Sequence, residues 1–488
     1  MSGQPAGEVL LPFFAAMRQL LIVFLFLFSG LLSTCEAQQM QVLDSIQLRR
    51  SVIDQVVITG NKKTREYIIR RELSFREGDT LQAYILESAI ERSRQNLMNT
   101  ALFNFVEIRY FQGIGDAVVV HINLTERWYL WPMPVFEIAD RNINEWLQRK
   151  DLKRTNYGLY LRQENFTGRD DILQFQVLFG YTRRFGLYYT IPYINRKLNL
   201  GLSAGFYTTR QKEVSYNTFE NKLEFYKDPE QFVRKETSAF LRFTKRQGLY
   251  NYYNTTIDYR KSSVADTIIA LNDRYFFEPY TEQQHIGISW NYRYDKRDYQ
   301  PYALKGHLIE FEATKIGIGL LPHEPNLIAL ALGIRHYQPL AKKWHLGTAV
   351  KGRIMQRAGG PFYNQRALGY GGDYIRGYDL YVLNGQDFAL FRSNLKYTLL
   401  GTKVYQFGFM RTEKFKKFPI SSYLNAFFDA GYVSDKQFAE NNSLNNDWQF
   451  GYGLSLDIIT YYDIILRCEY AINRLGDQGF YFRLGTVF

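Results

Sequence analysis

Few of the residues in this chain stand at spacings that make or break covalent bonds. The six His are dispersed without ligand spacing, and no Walker loop, G-x-S-x-G elbow or H-E-x-x-H pair occurs. Glu310 and Glu312 lie two apart, which on a strand puts both carboxylates on one face. With Lys351, Arg353 and Arg392 as expected partners, they read as an inward charge cluster rather than a catalytic dyad. The expectation is a chain that is not an enzyme and needs neither cofactor nor metal. The segment that invites a role is Gly-rich, lacks a strand pattern, and runs from about Ala358 to Gly385 with Ile375-Arg376-Gly377-Tyr378 inside it. Loops of that length are functional or disordered.

The elements around it must be strands. Of 488 residues 46% are hydrophobic, yet the only long apolar run lies near the start, from about Leu20 to Leu32, so helical membrane spans of roughly 20 residues are excluded elsewhere. The 38 Tyr and 37 Phe suit the aromatic girdles of a transmembrane barrel, where only alternate residues meet lipid. Ile286, Ile288, Trp290, Tyr292 and Tyr294 alternate with His285, Gly287, Ser289, Asn291 and Arg293. Leu173, Phe175, Val177 and Phe179 repeat the device against Gln174 and Gln176. About sixteen such segments fit into residues 156–488, which predicts a closed, sixteen-stranded antiparallel barrel. An even count returns both ends to one side, and the segment at 358–385 then follows the eleventh strand and lies on the opposite side.

Residues 1–37 read as an export signal, with Met17-Arg18 a plausible true start, and 38–51 as an N-terminal extension. Cys35 leaves a lipoprotein signal open, although Thr34 is bulky for a lipobox. Cleavage after Ala37 leaves Cys468 without a disulfide partner. The net charge of +12 is scattered rather than clustered, which argues against nucleic acid as a partner.

Residues 52–126 predict a small α/β module in the order β-α-α-β-β. Thr64 is the expected cap of the first helix, with Tyr67, Ile68 and Leu73 on it, and Asp79 with Gln82 the capping box of the second, where Leu81, Ile85 and Leu97 share a face. Residues 127–155, with Trp128, Trp131, Pro132 and Pro134, are expected to be a connector to a barrel at 156–488.

The run VVITGNKKTREYIIRRELSFREGDTL, followed by LFNFVEIRY, resembles a polypeptide-transport-associated (POTRA) domain. Ile375-Arg376-Gly377-Tyr378 resembles the Val-Arg-Gly-Phe/Tyr signature in the sixth loop of the BamA/TamA superfamily, which folds back into the lumen. An Arg held there needs a carboxylate, since an unpaired charge out of water is costly and a guanidinium grips a carboxylate with two parallel hydrogen bonds. The expected partner is Asp429, in Phe427-Phe428-Asp429-Ala430-Gly431, which resembles the family's Phe-x-Asp-x-Gly segment in the thirteenth strand. Alternation puts Asn425, Asp429 and Gly431 on one face against Leu424, Phe428 and Tyr432, so Asp429 is expected to point inward. The twelfth strand departs from the family, with Lys396 where a second acid is expected.

Three further stretches are similar to the family: ENFTGRDDILQFQVLFG, with its Gly168-Arg169-Asp170 turn, to its opening strands; RYDKRDYQPYALKG to the turn before its ninth strand; and the end GFYFRLGTVF to its barrel signal. In that last strand Phe480, Phe482, Leu484 and Phe488 share a face.

The resemblance implies a bacterial surface antigen-type barrel in a Gram-negative outer membrane, with one POTRA domain in the periplasm. It implies insertion or translocation of client outer-membrane or secreted polypeptides received by that domain, with outer-membrane lipids, periplasmic chaperones or accessory lipoproteins as further partners. A transport pore for lipid, polypeptide or solute, and a surface-exposed structural barrel, are the alternatives.

Overall fold

The computed structural model describes residues 50–138, 155–195, 197–356, 360–406, 417–437 and 439–485. The expected export signal with Met17 and Cys35, residues 38–49 of the extension, and Phe488 lie outside them.

The N-terminal domain comprises β1 (Arg50–Thr59), α1 (Glu66–Glu72), β2 (Thr80–Gln82), α2 (Ala83–Asn99), β3 (Phe103–Gln112) and β4 (Ala117–Glu126). Its sheet order is β2-β1-β4-β3, with β1 and β4 parallel. The expected β-α-α-β-β order holds for the longer elements, with the three-residue β2 added before α2. That strand displaces the expected capping box. Gln82 is the N-cap and makes no side-chain cap bond, while the Asp79 carboxylate accepts the Arg76 N–H at 2.8 Å. Thr64 likewise does not cap α1, which follows Arg65; its hydroxyl is buried against the Tyr129 hydroxyl at 3.1 Å. Ile53, Ile69, Leu86, Leu97, Val120 and Ile122 fill the core, whereas Tyr67 and Ile85 are exposed.

The first barrel strand, β5 (Leu130–Ile138), corrects the expected connector: residues 127–155 hold a strand, and the barrel begins before 156. Pro132 and Pro134 suggested a linker because Pro cannot donate to a central ladder, but β5 ends the sheet and has one open side. Sixteen strands are therefore β5 and the fifteen after it. The next four are β6 (Thr155–Gln163), β7 (Ile172–Gly180), β8 (Thr182–Ile191) and β9 (Leu200–Gln211). A hairpin, β10 (Glu213–Phe219) and β11 (Lys222–Lys227), precedes β12 (Arg234–Gln247) and β13 (Asn251–Val264). A short helix, α3 (Asp266–Leu271), leads to β14 (Glu282–Asp295), β15 (Gly306–Ile316), β16 (Leu327–Ala341) and β17 (Trp344–Gln356). The segment after this eleventh barrel strand carries β18 (Arg366–Leu368) and β19 (Leu383–Asn384). The last five are β20 (Asp387–Gln406), β21 (Lys417–Ser434), β22 (Trp448–Ile459), β23 (Ile465–Asn473) and β24 (Gln478–Leu484).

Each neighbouring pair is antiparallel, and the order runs without crossover from β24 to β5. Among the described residues no ladder joins those two strands, so the closure expected of the sheet is not made by hydrogen bonds there. Alternation separates the faces: Ile288 and Trp290 of β14 are exposed, while Gln283 and His285 are buried.

The N-terminal domain sits on one end of the barrel. Arg246, at the end of β12, grips Glu72 of α1 with two bonds of 2.5 and 2.7 Å, both side chains buried. Arg71 donates to the Leu198 carbonyl at 2.6 Å, and Arg127 to Asp463 at 2.7 Å. Asn165 reaches Thr64 at 2.8 Å beside the Gly168 turn. A Cβ on Gly168 would stand 2.4 Å from the Lys63 carbonyl oxygen, so this turn accepts only glycine if the domain is to seat. At the distal end Val214, Ile268, Tyr275, Phe276 and Phe362 form an apolar cluster.

Candidate functional site in the lumen

Strand alternation turns one side chain in two toward the lumen, and on β20 to β24 those inward positions form the wall that receives the 360–386 segment. Small residues let it approach. A Cβ on Gly431 would meet Ile375 at 2.4 Å, and one on Gly451 would meet the Arg376 carbonyl oxygen at 1.9 Å. Gly377 has φ +89°, a left-handed conformation that favours glycine. Ile375 packs with Leu368, Leu390 and Val433, and the Tyr378 hydroxyl donates to Gln449 at 2.9 Å.

Arg376 is fully buried at the centre. Its Nε donates to Asp429 Oδ2 at 2.8 Å and its Nη2 to Asp429 Oδ1, a two-pronged pair. The Arg376 backbone N–H also reaches Oδ2, at 3.0 Å. Nη1 donates to Asn394 Oδ1 at 2.6 Å, Nη2 also to the Ser393 carbonyl at 3.2 Å, and the guanidinium lies 3.9 Å from the Phe427 ring centroid. Charge, donors and flat face are thus all engaged, as a buried guanidinium requires.

Phe427, Asp429 and Gly431 face inward on β21, in contact with the segment that carries Ile375, Arg376, Gly377 and Tyr378. Lys396 corrects the expected register of β20. It donates to the Ala303 carbonyl at 3.2 Å over the Tyr302 ring, and Asn394, one inward position away, faces Arg376 instead. Glu310 lies 3.9 Å from Arg293 and 3.7 Å from Arg335, rather than against the partners expected for it. Lys351 pairs with Asp373 at 2.7 Å, and Arg353 with the Arg366 carbonyl at 2.7 Å. Glu310, Glu312, Lys351 and Arg392 nonetheless line one polar cavity of about 230 Å³. Phe480, Phe482 and Leu484 are exposed on the outward face of β24.

A second set of contacts escaped the motif reading. The Tyr374 ring lies 4.5 Å from the Arg392 guanidinium of β20 and 4.3 Å from that of Arg483 on β24. Arg483 also donates to Asp379 of the segment at 2.9 Å and to Glu469 of β23 at 2.7 Å. One segment therefore ties the twelfth and thirteenth barrel strands to the last. Arg483 was discoverable: it alternates with the outward Phe482 and so had to face inward.

Residues 165–488 match the model described as the Omp85 superfamily domain, and residues 51–127 match POTRA, described as a surface antigen variable number repeat. Comparison with curated proteins yields no match. Among solved structures, CdiB from Escherichia coli aligns with a TM-score of 0.54 at 11% identity, over 90% of this chain and 76% of that one. BamA from Haemophilus ducreyi lacking POTRA domains 1–3 aligns with a TM-score of 0.49 at 17% identity, over 89% and 84%. At such identity the CdiB alignment speaks to the fold. The family models, which together cover the domain and most of the barrel, decide the assignment: the chain belongs to the Omp85 superfamily of outer-membrane barrels, which insert or translocate proteins.

Proposed function

We propose that this protein is an assembly or translocation factor of the BamA/TamA type, with its N-terminal domain in the periplasm. That domain receives extended client polypeptides, chaperones or accessory lipoproteins deliver them, and the edges of β5 and β24, which no ladder joins among the described residues, template the incoming strand. The observation that carries the reading is the buried Arg376–Asp429 pair, which holds the 360–386 segment against the wall next to that edge. An open edge offers a row of unsatisfied N–H and C=O groups to another chain. Main-chain pairing makes such reception tolerant of client sequence.

The test is depletion in the native bacterium, followed by outer-membrane proteomics and heat-modifiability gels. Selective loss or unfolding of defined barrels, or retention of a secreted client, supports the reading and names the clients. Unchanged barrels and secretion, together with high single-channel conductance of the purified protein, would replace it with the pore reading.

A further inference from the structure

The outward face of the barrel carries a cationic row that the lumen chemistry does not use. In register across three strands, Arg183 of β8 stands opposite Arg210 of β9, and Arg210 opposite Lys235 of β12. All three are exposed, at the barrel end away from the N-terminal domain. Adjacent strands lie about 4.8 Å apart, so three like charges occupy neighbouring positions, an arrangement that destabilises a sheet unless an anion joins it. Among the described residues no carboxylate pairs with any of them. The acid at the far end of the same row, Glu282, is taken by Lys261 at 2.7 Å.

What lies beside the row identifies its occupant. The next outward positions are Phe185, Thr208 and Thr237, and the next Leu187, Phe206 and Ala239. Below them come Leu241 and Ile257, then Phe243 and Trp290. Phe185 stacks edge-on against Phe175 at 5.6 Å, and Phe185, Leu187, Phe206, Leu241 and Phe243 are all exposed. Cations thus cap a continuous apolar face, the layout that a lipid presents in mirror image: phosphate above, acyl chain below. A soluble acidic protein would match the cations and leave the apolar rows unexplained.

We infer that Arg183, Arg210 and Lys235 form a binding site for a lipid headgroup bearing more than one phosphate, in the leaflet distal to the N-terminal domain. The leaflet, though not the site, rests on the periplasmic placement proposed above. One phosphate is held by two neighbouring cations, and the third cation selects for a second phosphate.

The test uses the full chain in phosphatidylcholine nanodiscs doped with bisphosphorylated lipid A or with phosphatidylglycerol, with retained lipid counted by native mass spectrometry. The wild type should retain lipid A in preference to phosphatidylglycerol. The triple variant R183Q/R210Q/K235Q should retain it roughly a hundredfold more weakly, at the usual worth of three interfacial cations. K342Q/K343Q, at the opposite end, should behave as wild type, and millimolar inorganic phosphate should not displace the lipid. Equal retention by the triple variant and the wild type would overturn the site, as would full displacement by phosphate. Heat-modifiability checks that the variants are folded, and R210Q alone provides a milder change. Because both nanodisc leaflets are identical, a failure of the periplasmic placement is read separately, by labelling R183C in a C468S background in intact cells.

Discussion

Two interiors in this chain are held by opposite means. The N-terminal domain encloses an apolar core that includes Ile53, Ile69, Leu86, Val120 and Ile122. The lumen beside β20–β24 is organised around a buried guanidinium, a carboxylate, amides and tyrosines. An apolar core is non-directional and tolerates repacking that conserves volume. A buried ion pair tolerates loss of neither partner, since the one left behind is an uncompensated charge. The first interior gives a domain its stability, and the second gives a loop one address.

The sharpest break of that contrast is Arg376→Ala. It leaves the buried Asp429 with only the more distant Arg392, at 4.0 Å, as counter-charge and should destabilise the barrel by up to about 3–5 kcal/mol, read as a lower unfolding temperature on heat-modifiability gels. The paired change R376M/D429L should recover much of that loss while failing to fix the loop, which protease cleavage within residues 360–386 would report. An equal penalty for both variants would mean that packing rather than charge holds the site.

Next in size, Leu86→Ala should cost the N-terminal domain about 2–5 kcal/mol and leave the barrel transition in place. A matching fall in both transitions would show that the two interiors unfold as one.

The domain meets the barrel through Arg246 and Glu72. Glu72→Gln keeps a neutral acceptor, and undocking lets Arg246 reach water, so the loss should be about 1–3 kcal/mol. The readout is faster trypsin cleavage between domain and barrel with the barrel transition unchanged.

Arg483→Gln removes charged bonds to Asp379 and Glu469 on the last strand. Hydrogen exchange of the Gln478–Leu484 amides should quicken at least about tenfold, for a charged bond worth about 1.5–3 kcal/mol, while β20 and β21 stay protected. Unchanged exchange would confine the segment's hold to the twelfth and thirteenth strands.

The smallest effect is one of pH. The Val56 N–H and the Arg70 guanidinium hold the Glu77 carboxyl below its ordinary range. A depressed carboxylate contributes stability that is present above its unfolded pKa and lost as pH falls through the folded value. Glu77→Gln should therefore lower the domain's stability slightly near neutrality, flatten the acid limb of its stability-versus-pH curve, and change little once pH has fallen below the folded value.

The sequence by itself determined the barrel, because alternation is local: Ile286 to Tyr294 separate lipid face from lumen without reference to any partner strand. It also marked, through residue type, the charges that needed partners, whereas the count of eleven barrel strands before the loop holds only with β5 included and the β10–β11 hairpin left out, which the tertiary structure decided. The pairing of Arg376 with Asp429 was legible because a motif named each half and alternation turned Asp429 inward. Contacts that depend on stagger between distant strands were not legible. Asn394 rather than Lys396 faces Arg376, since which inward residue of β20 stands level with the loop tip is set by the tilt of the sheet. Pro132 and Pro134 hid β5, because only the tertiary structure shows that this strand ends the sheet and can spare a ladder on one side. Tyr374 between Arg392 and Arg483, Glu72 against Arg246, and the row from Arg183 to Lys235 each join residues far apart in the chain. Local sequence dictates which face such residues take, and the curvature and stagger of the sheet decide whom they meet.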